Sequence, residues 1–480
     1  MTELALIFVP LATAALALVW PADRTRPWLL PAAGVVHTGL ALAMLVNPPK
    51  VVPGAWLSFD PLARSVLPAI SLLFLVCSAY GVTYLRLRNE RRNRIFVTMF
   101  VAILGLMSLA IQAQHLGLLW VAAEAATLAT GPLLHFNGTA RAFEATWKYL
   151  LVGSTGIALS LLGSFCLGYA SLHGGGEGNL SFAALVAQAG GLSRSWVLAA
   201  WVLLLVGYGT KMGLAPMHTW KPDAYGEAPS IVGALLAGGM TTMAFVAILR
   251  VRQVVDAAGA GLAASRSLMA VGLFSMLLAA LFLLGTRDFK RMLAYSSVEH
   301  MGILSIGAAL GGAGVWAALF HVWNNGLTKG ALFLSAGNMR RAAGARTIDK
   351  VAGLAMLAPV SARIFVVGLL AVTACPPFGP FFSELRIVRA AIETGNAAAA
   401  AAFLGCLLFA FFGITRLVFP IVDGRPRAIS KAVGQGLRET AGTIVPPLVL
   451  LAFSLWLGLA TPKVLRETWT AAVQSLFPPR

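Results

Sequence analysis

Residues 195–216 read SWVLAAWVLLLVGYGTKMGLAP, an apolar run holding one lysine, Lys211, five residues before Pro216. The run has the length and composition of a membrane-crossing helix. An ionisable group at that depth is costly unless it is paired or works in a hydrated path. Two other apolar segments carry the same anomaly. Glu124 lies in LLWVAAEAATLAT at 118–130, and Lys329 lies in FHVWNNGLTKGALFLSAG at 320–337. An acid and two bases inside apolar helices point to a path for protons through a helical bundle.

The rest of the chain has the same character. Of its 480 residues 58% are hydrophobic and only 11% charged, with mean hydropathy +0.81. Soluble proteins carry roughly 25% charged residues. The expected fold is an all-α polytopic membrane protein with about fourteen crossings of ~20 residues each. Their spans are 3–20, 27–46, 63–85, 95–112, 115–135, 145–171, 195–220, 229–250, 267–285, 291–309, 314–336, 355–388, 396–420 and 440–460. The first run, Leu4 to Trp20, follows an acid rather than a basic region and has no small-residue cleavage site, so it reads as a retained helix and not a signal peptide. No soluble domain is expected. The longest connection, 172–194, is glycine-rich and nearly uncharged, and no long extension is expected after the last segment.

Lys and Arg number 36 against 18 Asp and Glu, a net charge of +18. The basic residues cluster in alternate connections: DRTR at 23–26, RLRNERRNR at 86–94, TRDFKR at 286–291, NMRRAAGARTIDK at 338–350 and GRPRAISK at 424–431. That is the pattern of topology signals, not of a nucleic-acid surface, and it sets both termini on the non-cytoplasmic side. Arg250, Arg252, Arg386 and Arg389 are the main exceptions. Cys77, Cys166, Cys375 and Cys406 stand singly in apolar segments, so neither a zinc nor an iron–sulfur site is expected. With no Walker A loop and no dinucleotide fingerprint, the expectation is a chain without metal or cofactor. Asn137-Gly138-Thr139 matches a glycosylation acceptor, which has no consequence in a bacterial protein or on a cytoplasmic loop.

Two segments are interrupted alike. One reads GYGTKMGLAPMHTW at 207–220 and the other TACPPFGPFFSEL at 373–385. Each lies near the end of a run of five segments, 4–8 and 9–13. Paired broken helices point to inverted repeats around a mid-membrane site. The corresponding division is 1–90 for the first three helices, 91–255 and 256–422 for the repeats, and 423–480 for the last helix and tail.

Glu124 lies ten residues past Gln114, ~15 Å along a helix. Burial disfavours the charged form of Glu124 or Lys211 alone, whereas a pair tolerates both charges. A pair that forms and breaks is a proton carrier; one that never breaks is a static ion pair. His321, Asn325 and Lys329 are spaced i, i+4, i+8 on one helical face, flanked by Asn324 and Thr328, and histidine can relay protons. Glu384 follows the second break, as either an interfacial acid or an exit group. His300 and Glu299, near the start of segment 10, are candidates for proton uptake near the cytoplasmic surface. Glu144 and Lys148 are spaced as a surface pair. His218, Lys221, Asp223 and Glu227 form a polar cytoplasmic connection, either a proton funnel or a solvated loop.

At this point the chain resembles the antiporter-like, proton-translocating membrane subunits of respiratory complex I and membrane-bound hydrogenases. The resemblance rests on GTKMGLAPMHTWKPDAYGEAPSIVGALLAG at 209–238, DFKRMLAYSSVEHMG at 288–302, HVWNNGLTKGALFLSAGN at 321–338 and PPFGPFFSE at 376–384. It runs over about 90–460. EATWKYLLVGSTGIALSLLGS at 144–164 and YSSVEHMGI at 295–303 are most similar to component F of the hydrogenase-4 type.

The resemblance implies fourteen helices, inverted five-helix repeats and a hydrated acid–lysine axis. Glu124 matches the family's helix-5 glutamate, Lys211 its helix-7 lysine, His321 and Lys329 its helix-11 histidine and lysine, and Glu384 a helix-12 acid. Two positions depart from it. Thr242, in LAGGMTTMAFVAILR, stands where many relatives have a helix-8 lysine, and Asn325 stands where a second histidine is common. A relay between Lys211 and Lys329 then needs water or another group, with Thr241, Ser297 and His321 as candidates. The implied function is proton translocation coupled to electron transfer in partners, namely further membrane subunits and a soluble nickel–iron hydrogenase or related module, in the bacterial inner membrane. The alternatives are a complex I subunit of medium length, a cation/proton antiporter-complex subunit, or a non-pumping membrane scaffold for a soluble enzyme.

Overall fold

A computed structural model describes residues 2–52, 54–88, 90–343, 354–423 and 439–477. The connections at 344–350 and GRPRAISK at 424–431, which carry part of the topology signal, lie outside the described residues. The described chain is helical, with two isolated bridges, Leu57 to Ala113 and His115 to Ser181. Helices are the expected outcome for such a sequence, because a lipid-immersed backbone must satisfy its own polar groups.

In chain order the helices are α1 (Thr2–Val19), α2 (Leu29–Val46), α3 (Pro61–Arg86), α4 (Arg94–Gln112), α5 (Leu116–Leu134), α6 (Ala140–His173) and the short α7 (Phe182–Ala187). They continue as α8 (Arg194–Met212), α9 (Trp220–Glu227), α10 (Ser230–Leu235), α11 (Thr241–Ala257), α12 (Gly261–Gly285), α13 (Phe289–Leu310) and α14 (Gly312–Ala343). The last are α15 (Pro359–Val372), α16 (Gly379–Glu393), α17 (Ala397–Asp423), α18 (Ala441–Leu459) and α19 (Lys463–Leu476). Side-chain caps start several of them. Asp60 accepts from Ala63 N at 2.8 Å and Asp288 from Lys290 N at 2.8 Å, each satisfying an otherwise orphaned backbone donor.

Each expected segment overlaps helix, with 195–220 and 355–388 interrupted by non-helical chain. Ten helical stretches among the described residues are long and apolar enough to cross a membrane. α13 and α14 are not among them, because they carry the charged and amide side chains singled out above. These two are also among the most buried helices of the bundle. From Gly314 to Met339 α14 is almost wholly enclosed, packed on α3, α10, α13, α15, α16 and α18. The polar residues therefore face protein, as intramembrane polar residues must.

Both expected breaks are present. α8 ends at Gly213, whose φ of +82° suits glycine, and the chain passes the cis Ala215–Pro216 bond before α9 begins. The second lies between α15 and α16, around the cis Pro376–Pro377 bond. Proline ends a helix by removing a donor and clashing with the preceding turn. Between α10 and α11 a π turn, Leu236–Met240, widens the helix where Gly238 meets Gly326 of α14: a Cβ on Gly238 would stand 2.9 Å from Gly326 Cα.

Two expectations of exposure are corrected. The stretch after the first break is helix α9, and Lys221 in it is fully buried rather than in a solvated connection, while Asp223 pairs with Lys148 at 3.0 Å and with Arg291. His300 and Glu299 are buried too, because α13 begins at Phe289 and His300 stands eleven residues, about 16 Å, into it. The arginines that break the charge rule are neutralised locally: Arg250 pairs with Asp60 at 2.7 Å, Arg252 with Asp256 at 3.2 Å and Arg389 with Glu393 at 2.6 Å, while Arg386 stacks 4.4 Å above the Trp316 ring. Beyond the last expected segment, α19 lays Leu465, Trp469, Ala472 and Leu476 against α3 and α14, a helix the run-length reading missed because only one face of it is apolar. The connection 172–194 likewise contains α7, capped by Ser181. Glu144 and Lys148 make the expected surface pair at 2.6 Å.

Candidate functional site

Lys211 stands in the last turn of α8, just before the break, and is 2% exposed. Its ammonium donates to Thr127 Oγ1 of α5 and to Tyr149 OH of α6 at 2.8 Å, and lies 5.0 Å from the centre of the Tyr149 ring. Glu124 is one turn before Thr127 on α5. Glu124 and Lys211, expected within ion-pair or one-water distance of each other, make no direct ion pair. Glu124 Oε1 instead accepts from Ser154 Oγ of α6 at 2.7 Å, and Oε2 makes no hydrogen bond within the protein. Thr127, Tyr149 and Ser154 were not singled out from sequence, since hydroxyls in apolar helices more often bond their own backbone.

The break exposes carbonyls that the helix would have used, and side chains take them. Trp220 Nε1 donates to Thr210 O at 2.9 Å. Lys221 Nζ donates to Met212 O at 2.9 Å and to Ser297 O of α13 at 3.4 Å, with the Tyr225 ring centre 5.7 Å away. A buried, unpaired carbonyl costs about 1–3 kcal/mol, so these contacts sustain the break.

α13 and α14 form the other half of the site. They are antiparallel neighbours, so Ser296 and His300, one turn apart on α13, meet Lys329 and His321, two turns apart on α14. Lys329 Nζ donates to Ser296 Oγ at 2.5 Å. The His300 and His321 rings are stacked, with Nδ1 of the first 2.8 Å from Nε2 of the second. His321 Nδ1 then meets Ser383 Oγ of α16 at 2.9 Å. Glu384 follows Ser383, is 3% exposed, and neither of its oxygens is hydrogen-bonded within the protein. Asn325 Nδ2 donates at 3.2 Å to Ala237 O, a carbonyl in the π turn, and its own Oδ1 has no protein partner.

The structure thus joins Lys211 to Thr127 and Tyr149, Lys221 to the Met212 and Ser297 carbonyls, Lys329 to Ser296, and His300 through His321 to Ser383, the neighbour of Glu384. Two candidates stand aside. Thr242 is buried, but its hydroxyl donates to Gly238 O of its own helix at 2.6 Å, and Thr241 does the same to Ala237 O at 2.7 Å. His218 is buried against Phe282 and Tyr295, with ring centres 6.2 and 6.4 Å away, and its Nδ1 has no hydrogen bond. His37, unremarked in the sequence, is buried between Ser71 at 2.8 Å and Ser108 at 2.9 Å in the first helices, remote in sequence from the other groups.

Potential metal donors of His300, His321 and Glu384 lie within 4.8 Å of one another. The imidazole nitrogens face each other at 2.8 Å as hydrogen-bond partners. Two nitrogens around a tetrahedral zinc stand about 3.3 Å apart, so the pair fits a shared proton better than a metal.

The chain matches the NADH:quinone oxidoreductase/Mrp antiporter transmembrane family over residues 113–409. It is 36% identical over 369 residues to a hydrogenase-4 component F homolog of Methylacidiphilum infernorum, covering 74% of this chain and 77% of that one. It is 30% identical over 477 residues to NADH-quinone oxidoreductase subunit N of Desulforudis audaxviator, covering 96% and 90%. Its fold superposes on a chain of an archaeal membrane-bound sulfane sulfur reductase with a TM-score of 0.89 at 23% identity, over 99% of this chain and 97% of that one. With residues 113–409 matched and the helices, breaks and buried polar groups in place, this chain is a membrane subunit of the NADH:quinone oxidoreductase/Mrp antiporter family.

Proposed function

We propose that this chain translocates protons as the antiporter-like subunit of a membrane redox complex of the hydrogenase-4 or complex I type. The observation that carries the reading is the succession of buried ionisable and hydroxyl groups from Lys211 to Glu384. A static core has no need of three lysines and two stacked histidines without direct carboxylate partners, since each is costly at that depth. A proton path needs groups of this kind, spaced so that hydroxyls and water link them. Lys211 takes or releases a proton as Glu124, one turn from its Thr127 contact, moves closer or away. His300 and His321 share a proton between their facing nitrogens, and Glu384 passes it outward.

In this reading the chain crosses the membrane fourteen times, and residues 91–255 and 256–422 are inverted repeats whose broken helices, α8–α9 and α15–α16, supply the two ends of the axis. Both termini face away from the cytoplasm of a bacterial inner membrane. A surface cavity of about 410 Å³, lined by Glu144, Lys148, Asp223, Asp288 and Arg291, is the point of proton uptake. Electrons are handled in partners: further membrane subunits and a soluble module, of nickel–iron hydrogenase or related type. A second reading, a subunit of a cation/proton antiporter complex, is favoured by the antiporter half of the family description.

The test is Lys211→Met in the intact complex, in sealed membrane vesicles. Methionine keeps volume and apolarity, so packing changes little. Substrate-driven proton uptake should vanish while electron transfer continues in part. Wild-type proton flux in the variant would instead make the chain a scaffold.

A further inference from the structure

Lys221 is the largest departure of the structure from the sequence reading, and it stands between the two halves of the axis. We propose that Lys221 is the proton-carrying group between Lys211 and Lys329, the station that neutral Thr242 does not provide. The inference rests on the translocation reading above.

Three observations carry it. First, position: one carbonyl held by Lys221 belongs to Met212, the residue after Lys211, and the other to Ser297, the residue after Ser296, which binds Lys329. Lys221 is therefore one residue removed from the surroundings of each flanking lysine. Thr242, by contrast, has its hydroxyl turned back on Gly238.

Second, its partners are neutral. Lys221 is 0% exposed, and the acceptors of its ammonium are two carbonyls. Two acceptors satisfy both N–H groups of a neutral amine and two of the three of an ammonium, so the site accommodates either state. A carboxylate partner would hold it charged. Lysine, unlike arginine, exchanges its proton readily when buried.

Third, the site is built around it. Gly213, at the turn of the break, has no side chain, and a Cβ there would stand 2.7 Å from Lys221 Cδ and 2.9 Å from Nζ. Its φ of +82° and the passage of the lysine across it make the break a cradle for this side chain.

The step is a proton hop. Lys211 Nζ gives a proton through bridging water to the neutral amine of Lys221, which then gives one to Lys329 Nζ. No other bond changes: Lys221 is neutral again once Lys329 holds the proton, Lys329 is restored when it passes that proton on toward His300, His321 and Glu384, and Lys211 when it takes up the next one.

A purely structural lysine would also cap Met212 O, so the variants must separate the roles. Lys221→Gln keeps amide donors for the carbonyls and Lys221→Arg keeps the charge, but neither releases a proton near neutral pH. Lys221→His keeps a group that titrates. Proton flux and electron transfer are measured for each in vesicles of the whole complex, with its melting temperature as a check on assembly and Lys211→Met alongside. The proposal expects Gln and Arg to lower flux by roughly 100-fold or more, the effect of removing a positioned proton-transfer group, and His to recover part of it. Wild-type flux in either Gln or Arg overturns the proposal, and so does a His variant that assembles yet transports no better than Arg. If Lys211→Met also keeps wild-type flux, the translocation reading itself falls. If Lys211→Met is inactive while Lys221→Arg transports normally, only the role of Lys221 falls.

Discussion

Replacing Asp60 by asparagine should destabilise the protein by about 2–3 kcal/mol without loosening the start of α3. Asp60 Oδ2 and Oδ1 receive Arg250 Nη1 and Nη2 at 2.7 and 3.0 Å, a two-pronged bond joining α3 to α11. The side chains are 17% and 3% exposed respectively, so the arginine cannot turn to solvent when its partner is neutralised. Removing one member of a buried pair costs about 3–5 kcal/mol. Two features reduce that here: the carboxylate keeps some solvent, and Arg250 Nη2 retains Ile111 O at 2.8 Å. Asparagine caps helices as well as aspartate does, so the bond to Ala63 N survives. With an unfolding entropy of about 2 cal/mol/K per residue over this length, the midpoint should fall by about 2–3 °C. A double-mutant cycle with Arg250→Leu, followed by denaturant and thermal unfolding in detergent, isolates the pair. The double variant should recover at least about 1 kcal/mol of the summed single losses. Additive losses, or an Asp60→Asn protein as stable as the parent, would refute the claim that this pair is what makes a buried arginine tolerable in α11.

Gly238→Ala should cost about 1–3 kcal/mol, because its Cβ would stand 2.4 Å from Leu73 Cδ2 and 2.9 Å from the Gly326 backbone. Gly326→Ala, whose nearest neighbour is 3.7 Å away, should change the melting temperature far less, and the opposite order would contradict the packing described. Thr242→Val should leave proton flux in vesicles at the wild-type level, since the threonine hydroxyl donates to Gly238 O and not toward a lysine. A slowed but folded Thr242→Val protein would return Thr242 to the axis.

Much was legible in the chain itself. Runs of apolar residues dictate helices wherever no water can satisfy the backbone, so the order of segments and both breaks followed from composition and proline. Lys211, Lys329, His321 and Glu384 stood out because a charge or imidazole in such a run is anomalous whatever it touches. The partners of these groups did not follow. Whether Lys211 meets Glu124 or Thr127 is settled by the azimuth of α5 against α8, and run length carries no information about azimuth. Lys221 looked like a loop residue because it follows a proline break and precedes Pro222 and Asp223. Only the fold of the break, which turns α9 back against α13 and leaves a glycine beneath the side chain, puts it inside. His300 likewise needed the antiparallel register of α13 and α14 to bring its ring onto His321. Sequence determined which residues are costly in a membrane; the packing of one helix against another decided which of them meet.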